Sequence, residues 1–168
     1  HNIAVAEPGP NVKMQPLNRL MDLTGRKALI TGGAGHIGLA AGEALVELGA
    51  TVAVLDLDPG ACRARAETLT ATGRAGAIAV ACDLTDGQAT RDSIKDAVER
   101  MDGLDILIHC AAYVGTTQVP GWAVPFEQQT VKAWDAAMRV NLTSPCIMVQ
   151  EAREALATSG HGSVIFFG

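Results

Sequence analysis

The sequence predicts a doubly wound α/β domain, a parallel sheet with helices on both faces. Three observations carry that prediction. Short apolar runs alternate with stretches whose apolar residues recur at helical spacing, glycines and capping residues punctuate the joints, and a glycine-rich turn follows the first run. The first run covers residues 28–30. After the turn comes a helix with Ile37, Ala41, Ala44, Leu45 and Leu48 on its buried face, stopped by Gly49. Residues 51–55 form the second run. Asp58 then serves as N-cap with Pro59 in the first turn, and the helix continues through Ala66 and Leu69 to Gly73. The third run is 77–81, and Thr85 or Asp86 caps a helix with Ile94, Val98 and Met101 on one face, ended by Gly103. The fourth run, 105–110, enters a loop with Gly115, Pro120, Gly121 and Pro125. Thr130 caps the longest helix, reaching about Thr158, and a fifth run spans 163–167. Right-handed crossovers between such strands place helices on both sides of the sheet.

Composition narrows the function. With 168 residues, 48% of them apolar, the chain can build one core of substantial size. The net charge of −5 argues against a nucleic-acid partner, because phosphates would be repelled. Cys62, Cys82, Cys110 and Cys146 form no CxxC pair, and no histidine stands at metal-ligand spacing from them. We expect reduced thiols, no metal, and a soluble cytoplasmic protein, since no apolar stretch approaches the ~18 residues of a membrane span. Residues 1–22, with Pro8, Pro10 and Pro16, read as an extended arm ahead of a nucleotide-binding domain at 23–168. The chain begins with His1, which reads as a tag remnant or a start within a longer chain.

The chemistry lies in Thr31-Gly32-Gly33-Ala34-Gly35-His36-Ile37-Gly38, directly after the first strand and opening a helix. This is a dinucleotide-binding (Rossmann) fingerprint. It needs glycine for a tight turn, for backbone approach to a pyrophosphate, and for helix-on-strand packing. The N–H groups of Gly35, His36, Ile37 and Gly38, at a helix N-terminus, suit phosphate. Asp56 ends the second strand 18 positions beyond Gly38, with Leu57 beside it, where a carboxylate accepts hydrogen bonds from the adenosine ribose hydroxyls. No Arg or Lys adjoins Asp56 in sequence, so NAD is expected over NADP. Asp83 and Leu84 follow the third strand, where the carboxylate either meets the adenine amino group or caps the next helix.

These residues resemble the short-chain dehydrogenase/reductase family from Leu23 onward: TGGAGHIG, the Asp56 strand end, Asp83-Leu84, the LDILIHCAA run, and VNLTSP in the long helix. The resemblance is mixed. Gly32, Gly35 and Gly38 fit the TGxxGxxG of the family's extended branch, and His109-Cys110-Ala111-Ala112 is similar to that branch's HxAA, whereas VNLTSP looks classical. It implies hydride transfer between NAD(H) and an alcohol or carbonyl carbon, with Cys110, Ala111 and Ala112 along the cofactor. It also implies a catalytic role for Asn141, whose backbone carbonyl would hold a relay water. Pro145 supplies an independent reason, because it lacks the N–H that the Asn141 carbonyl would take in an α-helix. The family's Ser, Tyr and Lys do not appear: Tyr113 is the only tyrosine, and position 117 is Thr. The resemblance implies that they come after Gly168, the Ser immediately after the fifth run, in a longer enzyme of which this chain is the front part. The alternatives are an NAD-dependent nucleotide-sugar epimerase or dehydratase, and a dinucleotide-binding module without catalysis. Finally, Trp134, Met138, Leu142, Ile147, Met148, Val149 and Leu156 exceed one helical stripe, which predicts a homodimer or homotetramer through the long helix.

Overall fold

The computed structural model describes residues 16–114, 117 and 119–167. Five parallel strands, β1 (Lys27–Thr31), β2 (Thr51–Asp56), β3 (Ala77–Ala81), β4 (Ile106–His109) and β5 (Ser163–Phe166), form one sheet in the order β3-β2-β1-β4-β5. This is the expected doubly wound sheet. The order reverses between β1 and β4, and a crevice opens there at the strands' carboxyl ends.

Alternation along the strands sorts the core into two layers. Ala28, Ile30, Val52, Val54 and Ile108 face one side, against Val46 of α2 (His36–Glu47) and Leu69 of α3 (Pro59–Thr72). Leu29, Ala53, Leu55 and Leu107 face the other, against Ile94 and Met101 of α4 (Gly87–Met101) and Met148, Ala152 and Leu156 of the last helix. Most of these side chains are fully enclosed, so the core is the main source of stability.

The caps follow the sequence closely. Asp58 accepts from Gly60 and Ala61 N–H, and Asp86, not Thr85, caps α4 by accepting from Gln88 and Ala89 N–H. These main-chain donors hold the Asp58 carboxyl below its ordinary pKa. At the other end of α4, Asp102 takes the left-handed conformation at φ 55° and Gly103 follows at φ 126°.

Two elements differ from expectation. The arm predicted over residues 1–22 lies outside the described residues up to residue 15, and its end is not extended. Residues Leu17–Leu20 form one helical turn, α1, because the Pro16 carbonyl accepts from both Arg19 and Leu20 N–H. The long helix also departs from a uniform α-helix. It is α5 (Val131–Met138), a π-helical segment (Arg139–Thr143) and α6 (Ser144–Thr158) in unbroken succession, with Thr130 as its N-cap. Period-3.6 reasoning carries no signal for a single inserted residue.

Candidate dinucleotide site

The site begins with the turn after β1. Gly32 adopts φ +64°, and a Cβ there would stand 2.6 Å from Ala111 N, so only glycine lets the turn pass under the end of β4. Gly33 N–H ties the turn to Leu55 O of β2 at 3.1 Å. Gly38 packs the first turn of α2 on this loop, where a Cβ would lie 2.3 Å from Gly32 O. Leu39 N–H is the first to take a helical carbonyl, that of Gly35, which leaves the N–H groups of His36, Ile37 and Gly38 ahead of it. The backbone thus makes a cradle that a side chain would fill.

The cleft above the cradle has a volume of about 300 Å³. Of the residues singled out in the sequence, Gly32, Gly35, Asp56, Leu57, Asp83, Leu84, Cys110, Ala111 and Ala112 border it. His36 and Ile37 stand exposed on the first turn of α2 instead, and Gly38 is buried behind the wall. Asp56 is committed to the backbone: Oδ2 accepts from Ala34 N at 3.1 Å and Oδ1 from Leu57 N at 2.8 Å. Asp83 is not the cap of α4. Its Oδ1 accepts from Thr85 N and Oγ1, which fixes the carboxylate at the cleft wall.

His109 packs. Its Nδ1 lies 2.7 Å from Thr31 Oγ1 on the neighbouring strand, Phe166 meets the ring edge-on, and only 2% of the residue is exposed. Burial lowers its pKa, partly offset by the Val140 carbonyl facing the ring, so the imidazole is neutral at pH 7. Burial likewise raises the Cys62, Cys82 and Cys110 thiols, which keeps them protonated and poorly nucleophilic.

Two features escaped the sequence. One is the Asn141 side chain, which grips the backbone of Tyr113 from both sides: Oδ1 accepts from Tyr113 N at 2.8 Å, and Nδ2 donates to Tyr113 O at 3.3 Å. The sequence signal concerned only its carbonyl. Here Pro145 withholds its usual donor, while one step earlier Ser144 N–H reaches back to Arg139 O, so the Ser144 hydroxyl serves the Val140 carbonyl at 2.8 Å. The other is Arg65 of α3, whose Nη2 donates to Ala34 O at 3.0 Å. A wider groove of about 650 Å³ at the amino ends of the strands, between α4 and α6, makes no comparable cradle. Both of its lysines are already paired, Lys95 with Glu151 at 3.5 Å and Lys27 with Asp102 at 3.9 Å.

A parallel sheet with a glycine-lined cradle and a strand-end carboxylate at its switch point defines a dinucleotide-binding α/β fold. Residues 26–168 match the sequence model of the short chain dehydrogenase family, and the chain belongs to that family. It is 32% identical over 143 residues to 2,5-dichloro-2,5-cyclohexadiene-1,4-diol dehydrogenase of Sphingobium indicum, covering 85% of this chain and 54% of that protein. It is 33% identical over 145 residues to sorbitol dehydrogenase of Cereibacter sphaeroides, covering 86% and 52%. The chain therefore spans about half the length of these curated relatives. Among solved structures it is similar to an NADH-dependent reductase complexed with NAD, at a TM-score of 0.74 and 28% identity, covering 88% of this chain and 61% of that one. A dehydrogenase/reductase from Sinorhizobium meliloti 1021 aligns at a TM-score of 0.71 and 30% identity, covering 88% and 55%. No helix among the described residues is long and apolar enough to cross a membrane.

Proposed function

We propose that this chain is the cofactor-binding part of an NAD(H)-dependent oxidoreductase acting on an alcohol or carbonyl carbon of a small molecule. The observation that carries this reading is the juxtaposition of the glycine cradle with Asp56. The N–H groups at the start of α2 suit the pyrophosphate, and Asp56 and Leu57 mark the adenosine ribose end. Asp83 and Leu84 border the adenine, and Cys110, Ala111 and Ala112 lead toward the nicotinamide. When bound, the nicotinamide accepts or donates hydride. Asn141 serves by its main-chain carbonyl, from which Pro145 withholds the usual i+4 donor and which would hold a relay water. The relatives named as dehydrogenases of a cyclic diol and of sorbitol support a hydroxylated substrate.

Titrating the intact protein with NADH and NADPH separately should show tighter NADH binding, because a 2′-phosphate would meet the Asp56 carboxylate at short range. Equal or tighter NADPH binding overturns the cofactor assignment.

Assembly belongs to the same reading. Val131, Trp134 and Leu142 are 76%, 54% and 68% exposed at spacings that share one face of the long helix. A two-fold copy of the helix would cover them through one self-complementary patch. Light scattering on the intact protein should give a dimer or tetramer, and Leu142→Glu should lower the mass. A parent that is monomeric at micromolar concentration removes the proposal.

A further inference from the structure

We infer that Arg65 is a second determinant of cofactor choice, a guanidinium already seated beside the ribose end of the cleft and latent while Asp56 keeps its charge. The inference rests on the dinucleotide reading above. A single residue, Ala34, separates the two groups: its carbonyl accepts from Arg65 Nη2 at 3.0 Å and its N–H donates to Asp56 Oδ2 at 3.1 Å. Neither Asp56 nor Arg65 takes part in an ion pair among the described residues. Arg65 Nε is enclosed and has no hydrogen-bond partner.

The guanidinium is half-buried, places one N–H on a neutral carbonyl and has no ion-pair partner among the described residues, so an arriving anionic oxygen would compensate its charge. The planar fork suits phosphate in particular. The 2′-phosphate of NADP is the group that would bring such oxygens to the Asp56 end of the cleft. Repulsion from Asp56 opposes it, and so does the Asp58 carboxylate two residues on, which is held charged by Gly60 and Ala61 N–H. Removing the Asp56 charge leaves Asp58, which has Arg63 close by, as the remaining opposing carboxylate. No spacing signals this cation, since residues 34 and 65 lie 31 positions apart and meet only through the packing of α3 against the turn.

The test is a fluorescence titration of NADH and NADPH on the intact protein and its variants, with circular-dichroism melts as a check on folding. Asp56→Asn should tighten NADPH binding at least tenfold and reverse the preference. Adding Arg65→Met should return NADPH binding to within about threefold of the parent, while adding Arg65→Lys, which keeps the charge, should retain part of the gain. Arg65→Met alone should weaken both nucleotides by the same factor, since it only loosens the turn. If the parent binds neither nucleotide, the functional reading falls and the inference with it. If the parent prefers NADH but Asp56→Asn gains nothing, or the gain survives Arg65→Met, the inference alone is overturned.

Discussion

Gly38→Ala should abolish measurable dinucleotide binding and cost about 3 kcal/mol of stability, at the upper end of what forced overpacking does. The added Cβ would lie 2.3 Å from Gly32 O and 2.6 Å from Gly33 Cα, both main-chain atoms that no side-chain rotation can move aside. Relief requires the first turn of α2 to lift off the loop, and that motion carries the N–H groups of His36 and Ile37 away from the cradle. Gly35→Ala, whose Cβ would meet Gly32 O at 3.2 Å, should weaken binding without eliminating it. Gly76→Ala, with nothing within 4 Å, should behave as the parent. The checks are a denaturant melt and an NADH titration of each variant. NADH binding by Gly38→Ala within threefold of the parent would show that the cradle is not where the nucleotide sits.

The glycine ranking also shows what a sequence can and cannot specify. Fold class was legible because it depends on period and punctuation: β3 spans the predicted residues, Asp58 and Pro59 open α3 as expected, and Gly49 at φ +101° follows the end of α2. Glycine spacing placed the cradle for the same reason, since each glycine answers a local steric demand. Side-chain partnerships across elements were not legible. Arg65 reaches the turn from the far helix, Asp86 outcompetes Thr85 for the helix start, and Asp83 settles on Thr85 instead of capping. The first depends on how α3 seats against the turn, and the other two are competitions among side chains within three residues of one another; no spacing rule settles either. The π segment was half legible. Pro145 marks where the α-ladder must fail, but the shift of Ser144 N–H to Arg139 appears only in three dimensions.

Asn141→Ala should destabilise the protein by about 1–3 kcal/mol, the sum of two ordinary hydrogen bonds at ~0.5–1.5 kcal/mol each. Both bonds go to one residue: the Tyr113 N–H and C=O lose their partners together. Tyr113 borders the cleft and meets Trp122 ring edge to face, and Trp122 Nε1 donates to Val114 O, so the clamp anchors the start of the loop between β4 and α5. Loosening it should also weaken NADH binding several-fold. Asn141→Asp separates donor from acceptor. It keeps an oxygen for Tyr113 N–H but turns a carboxylate oxygen toward the Tyr113 carbonyl, and should be at least as destabilising as alanine. The proposed relay carbonyl belongs to the main chain and survives both changes. If that carbonyl is the chemical contribution of Asn141, the pH profile of turnover in the intact protein should keep its shape in Asn141→Ala while its amplitude follows the order of the loop. An unchanged melting temperature would refute the clamp, and a shifted pH profile would move the catalytic role to the side chain.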